Sequence, residues 1–192
     1  MPDIFRFPFT FNVEQTKQQL LDLSDAAWIA HYNKKDYAGD WNVLALRSGW
    51  GHPDNIYSVP MPVDKYEDTP LMEVFPDVKD ILNHLACDKT SVRFMRLCAG
   101  AEIKEHCDDE LDITKCKEAR LHIPVQTHEQ VEFYLNSNRV FMKEGECWYL
   151  NFNLSHRVKN SGAIDRIHLV IDCVVNDWLL QQMNLPSRHA AE

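Results

Sequence analysis

A chain of 192 residues, 45% hydrophobic and 26% charged, is long enough for one sizeable core and too short for two of ordinary size, and its composition points away from disordered and membrane-embedded classes. Its net charge of −9 opposes nucleic acid as a partner, because phosphate binding draws on a basic surface that releases counterions. No apolar run approaches the roughly 18 residues of a spanning helix, and the start MPDIFRFPFT lacks the basic-then-apolar form of a signal peptide, so a cytoplasmic chain without a membrane partner is expected. The six cysteines, Cys87, Cys98, Cys107, Cys116, Cys147 and Cys173, include no C-x-x-C pair and read as small apolar residues of a reducing compartment. Cys107 and Cys116 fit no structural zinc spacing.

In chain order, DIFRFPFTFN alternates apolar and polar residues and predicts an early strand. A helix follows, with Asn12 as its cap, Glu14 at its positive end, and Val13, Leu20, Leu21 and Leu23 on its buried side. Residues 30–40 read as turns and Trp41 to Leu46 as a strand. Residues 47–68 carry Gly49, Gly51, Pro53, Pro60 and Pro62 and predict a long loop that serves as a lid or a pocket wall, with Trp50, His52 and Tyr57 either lining the pocket or anchoring the loop. A short helix from Pro76 presents Val78, Ile81, Leu82 and Leu85 to one side and leaves His84 at the surface.

From Ser91 the pattern becomes strand after strand. SVRFMRLCAG is broken by Gly100, EIKEHCDDE leads into an acidic loop, and strands are predicted at 119–127, 130–137, 139–152 with a hairpin turn at Gly145, and 166–175. Arg93 shares parity with Met95 while Arg96 does not, so only one of the two arginines should face inward. A short helix capped by Asn176 and a frayed tail close the chain. Near-even strands without intervening helices predict a mainly β fold with flanking helices, a double-stranded β-helix of jelly-roll, cupin-like form. Residues 1–90 are expected to pack on a core of 91–175, with 176–192 as helix and tail, all in a single domain.

The chemistry-bearing residues fall on this strand series. On an extended segment His106 and Asp108 share a face while Cys107 points away. His156 is the best candidate for a second imidazole, and two histidines with one carboxylate hold Fe(II) on one face and leave open positions. Arg166, ten residues on in an apolar run, needs an anionic partner if buried, and a dicarboxylate cosubstrate would supply one.

The run from Val92 to Asp172 resembles the aspartyl/asparaginyl β-hydroxylase family of 2-oxoglutarate-dependent oxygenases, and within it the proline-hydroxylase branch. VRFMRLCAGAEIKEHCD, ARLHIPV and GECWYLNFNLSHRVKNSGAIDRIHLVID carry the resemblance, with a weaker match at DWNVLALRSG. It implies Fe(II) held by His106, Asp108 and His156, 2-oxoglutarate fixed by Arg166 through its far carboxylate, and O2 as the second cosubstrate. Arg120 and His122 match an R-x-H pair beside the metal that contacts cosubstrate or substrate carboxylates. The implied activity is hydroxylation of a small-molecule amino acid, or of an amino-acid side chain in a peptide or protein, with release of succinate and CO2. A substrate carboxylate would be clamped by Arg120 first, with Arg93 and Arg96 as further candidates.

Asp108 sets the chain apart from the eukaryotic aspartyl hydroxylases, which lack the carboxylate ligand. The branch's members continue into a helical C-terminal region that is not expected here after the last short helix, which weakens the expectation of proline as substrate. Two other readings use the same fold: a cupin-like isomerase or lyase with Zn or Mn, which would not require Arg166, and a non-catalytic binding module, against which the intact ligand set argues.

Overall fold

The computed structural model describes residues 2–57 and 65–187. Its strands are β1 (Ile4–Thr10), β2 (Ile29–Ala30), β3 (Tyr37–Ala38), β4 (Trp41–Gly49), β5 (Tyr66–Asp68), β6 (Lys89–Leu97), β7 (Glu102–His106), β8 (Glu118–Gln126), β9 (Val131–Leu135), β10 (Asn138–Val140), β11 (Glu146–Leu150), β12 (His156–Asn160) and β13 (Arg166–Val174). The helices are α1 (Glu14–Asp22), α2 (Pro76–His84) and α3 (Asp177–Gln182). The strands form two antiparallel sheets, one in the order β1-β11-β8-β13-β6-β4-β2 with β5 beside β4, the other β10-β9-β12-β7-β3. This is the double-stranded β-helix the strand series predicts. Among the described residues no helix is long and apolar enough to cross a membrane.

Strict alternation along the central strands sorts side chains into two layers. Leu44, Val92, Phe94, Leu121, Ile123, Leu169 and Ile171 pack outward against Leu20, Val78, Ile81, Leu82 and Leu179 of the helices. Trp41, Val43, Met95, Leu97 and Val170 point the other way and meet Ile103, Phe133, Leu135 and Val158 of the smaller sheet. The inward rows also carry a buried polar set, Arg93, Arg120, His122, Arg166, His168 and Asp172. The large sheet is therefore apolar on its helix side and mixed on the side facing its partner sheet.

Several expectations are corrected. Asn12 lies one residue ahead of the helix cap, which is Val13, although its Oδ1 still accepts the Glu14 N–H at 3.1 Å. Leu21 is 60% exposed, because one residue past Leu20 it has turned about 100° away from the buried stripe. The loop expected over 47–68 is shorter: Arg47–Gly49 continue β4 and pair with β5, Arg47 opposite Asp68 and Gly49 opposite Tyr66. Its middle, 58–64, and the tail from 188 lie outside the described residues. Gly145 sits in a crossing between sheets and not in a hairpin, since β10 pairs with β9 in one sheet and β11 with β8 and β1 in the other. β12 is a strand that the apolar pattern of the sequence did not announce. Asn176 does cap α3, its side chain accepting from the Leu179 N–H at 3.0 Å.

Candidate active site

His106 ends β7 and His156 begins β12, and the two are direct cross-strand partners. Further along the pair Val158 faces Ile103, so β7 spends three residues where β12 spends two. This β-bulge at Lys104 and Glu105, both exposed, lets Ile103 and His106 face the same interior despite opposite parity. Asp108 follows in irregular chain, where its N–H donates to the Phe152 carbonyl at 2.9 Å. One ligand atom from each of His106, Asp108 and His156 falls within 4.8 Å of the others.

The protons in this group follow from its partners. Nδ1 of His106 lies 2.7 Å from the Lys104 carbonyl and Nδ1 of His156 3.0 Å from the Leu154 carbonyl. A carbonyl only accepts, so both Nδ1 atoms carry a proton, which leaves Nε2 as the ligating atom of each ring. Burial holds the His156 imidazole at about 4. Burial works to raise the Asp108 carboxyl, but the Arg120 guanidinium, helped by His156 and His106, outweighs it and keeps Asp108 ionised below the usual carboxylate range. The neutral His156 imidazole, the His106 ring and one carboxylate therefore converge.

Arg120 is expected to reach for a cosubstrate or substrate carboxylate, and the structure engages it elsewhere. Its Nε and Nη2 donate to the two oxygens of Asp172 at 2.6 and 3.1 Å, and its Nη1 donates to Asp108 Oδ2 at 2.6 Å. Arg93 faces inward and donates through Nη2 to Asp172 at 2.7 Å and through Nη1 to the Ile56 carbonyl at 3.2 Å. Arg96 faces the other way, pairing with Asp25 at 2.7 Å and lying 4.4 Å above the Trp28 ring, which removes it as a substrate clamp.

Arg166 is 2% exposed and has no carboxylate partner among the described residues. Burial alone draws its guanidinium down to about 9, Nε has no partner, and Nη2 donates to His168 Nδ1 at 2.8 Å. That nitrogen is therefore bare, and His122 Nδ1 lies 3.2 Å from it, while His122 Nε2 is buried without a hydrogen-bond partner among the described residues. The expected contact of His122 with a carboxylate would need a proton on Nε2.

These groups line one open-mouthed cavity of about 650 Å³, its mouth included, bounded by His106, Asp108, His156, Arg93, Arg120, His122 and Arg166. Its outer wall is aromatic: His31 stacks on Trp41 at 3.6 Å and on Tyr32 at 4.5 Å. Trp50, His52 and Tyr57 do not line it; Tyr57 instead packs 4.7 Å from Tyr32. Sequence reasoning missed His31, Asp172 and His168. The signal for the last two was present, since they share parity with Arg166 on one strand.

The family model described as aspartyl/asparaginyl beta-hydroxylase matches residues 10–175. Among solved structures, an oxidoreductase of the 2OG-Fe(II) oxygenase family from Burkholderia pseudomallei is similar at 13% identity and a TM-score of 0.52, over 83% of this chain and 77% of that one. A prolyl-4-hydroxylase from Pseudomonas putida is similar at 11% identity and a TM-score of 0.52, over 90% and 92%. At such identities both likenesses concern the fold.

Proposed function

The chain belongs to the aspartyl/asparaginyl β-hydroxylase family of 2-oxoglutarate-dependent hydroxylases, and we propose that it hydroxylates an amino acid, free or as a side chain in a peptide or protein, releasing succinate and CO2. In this reading His106, Asp108 and His156 hold Fe(II), and Arg166 anchors the far carboxylate of 2-oxoglutarate. The observation that carries it is the pairing, in one cavity, of a preset two-histidine-one-carboxylate donor set with a buried guanidinium that lacks an anion.

The residues fit the group they would bind. Both imidazoles are fixed through Nδ1 by their carbonyl partners, which presents Nε2 as the ligating atom of each, and the mixed nitrogen and oxygen set suits non-haem Fe(II). Bound Fe(II) would supply the oxidative chemistry with O2 and 2-oxoglutarate, which side chains alone do not perform. The chain's part is to bind and orient. Asp108 offsets one positive charge of the metal. Arg166 presents a planar fork that a lysine could not reproduce. The stacked His31 and Trp41 rings form part of the cavity wall.

A substrate that bears a carboxylate would meet guanidinium groups here: Arg93, Arg120 and Arg166 line the cavity beside the carboxylates Asp36 and Asp108, and Asp172 lies buried between Arg93 and Arg120. Arg93 is the best-placed clamp, because Nε has no partner and Nη1 reaches only a backbone carbonyl. An isomerase or lyase would have no use for the unpaired Arg166.

The test is succinate formation from 2-oxoglutarate by anaerobically Fe(II)-loaded protein exposed to air, with and without a panel of free amino acids. We expect one amino acid to raise turnover, and Arg166→Ala to lower it on the order of a hundredfold, the scale for removing a partner from a buried charged pair. Fe(II)-loaded wild-type protein that binds no 2-oxoglutarate in calorimetry would overturn the reading.

A further inference from the structure

The reaction proposed above gives Asp172 no part, yet this residue is 1% exposed and touches two guanidiniums. It lies on β13 directly opposite Arg120 on β8. Arg120 meets it side-on, Nε to Oδ1 at 2.6 Å and Nη2 to Oδ2 at 3.1 Å. From the other flank, on β6, Arg93 Nη2 reaches Oδ2 at 2.7 Å. Asp172 is thus held by strands on both sides of its own, and a two-bond contact fixes the plane of the Arg120 fork.

With Nε and Nη2 committed, Arg120 extends Nη1 across to the smaller sheet, where it meets Asp108 Oδ2 at 2.6 Å. Asp108 needs such an anchor. It stands beyond the end of β7, and among the described residues its backbone is tied at that residue by the bond from its N–H to the Phe152 carbonyl. Arg120 takes one oxygen of the carboxylate and leaves the other, Oδ1, 3.7 Å from His106 Nε2.

We propose that Asp172 is a positioning residue for the metal-binding carboxylate: by fixing the Arg120 fork it commits Asp108 Oδ2 to Arg120 and turns only Oδ1 toward the histidines. The proposal rests on the assignment of His106, Asp108 and His156 as the metal set. Its consequence is a count: the chain offers three donor atoms and not four, and the number of positions left for cosubstrate and O2 is set from the opposite sheet. If Asp172 served only to neutralise two buried arginines, the coordination of the metal would not depend on it.

The test uses Co(II), whose visible bands report coordination number, on purified protein stripped of metal. Asp172→Asn keeps the shape of the side chain and removes its charge. Arg120→Lys keeps the charge balance and removes the fork. We expect both variants to bind Co(II) roughly 10- to 100-fold more weakly than wild type, the usual effect of losing a partner of a metal ligand, and to show altered bands. Variants that fold by circular dichroism and bind Co(II) with wild-type affinity and bands would overturn the proposal. Should Asp172→Asn fail to fold, Arg120→Lys is judged by the same two readings. Wild-type protein that takes up no Co(II), or His106→Ala that takes it up unchanged, would instead sink the metal assignment itself.

Discussion

Four histidines inside this molecule are held neutral by burial, and their proton balance can be worked out one residue at a time. His31 and His156 are lowered to about 4, and His122 and His168 well below their ordinary value. The unfolded chain protonates all four near 6.5. Between that pH and each folded value the unfolded state binds more protons, so stability is complete above about 6.5 and falls as the pH drops. Each such group costs about 1.4 kcal/mol per pH unit within its window. Glu118, raised by burial, opposes the trend with one proton against four. Urea midpoints measured at pH 7 and pH 5 should fall toward the lower pH, and metal-free protein equally stable at both would contradict the burial argument. Residue by residue, the sequence made His106, Asp108, His156 and Arg166 legible because their types are improbable together in a strand-rich run. It could not say that Arg120 is spent on Asp172 and Asp108, since donor geometry depends on which strands become neighbours.

At the level of elements, period-2 alternation fails where the backbone breaks it. The bulge in β7 places Ile103 and His106 on one face, which no period-2 reading of EIKEH yields. β12 is only five residues long with two charged positions, His156, Val158 and Asn160 facing inward, and its polar content hid it. Gly145 was recognised as a turn, but its demand is stronger than a hairpin's. It has a φ of +79°, and a Cβ there would stand 2.1 Å from the Phe11 carbonyl oxygen, which itself belongs to the chain leaving β1. Gly145 also donates to the Pro124 carbonyl at 2.8 Å and accepts from the Phe11 N–H at 2.9 Å. Gly145→Ala therefore combines left-handed strain with overpacking, and we expect a loss of about 2 kcal/mol or more in equilibrium unfolding. A loss under about 0.5 kcal/mol would show that the crossing shifts to make room.

Across the whole molecule, the layered design was readable from composition and strand spacing, because long apolar-alternating strands without helices between them leave few ways to bury their faces. What the sequence could not convey was that the two sheets divide the labour. The smaller sheet and its loop carry His106, Asp108 and His156, while the larger sheet carries Arg93, Arg120, Arg166 and Asp172. The cavity exists only between them, so its chemistry is a property of their packing and not of either sheet.

The direct pairing of His106 with His156 across β7 and β12 has a kinetic side. The two residues are about fifty positions apart in the chain, so an ion held by both acts as a reversible cross-link closing a long segment, and it must be released before those strands can part. Loaded protein should then resist unfolding over time as well as at equilibrium. In stopped-flow urea jumps with redox-inert Zn(II), we expect unfolding at least roughly tenfold slower than in chelator, given the size of metal-linked stabilisation, and no difference in His106→Ala. Equal rates with and without Zn(II) in the wild type would mean that the strands separate while the ion stays bound, and that the crossing point of the unfolding barrier lies elsewhere in the barrel.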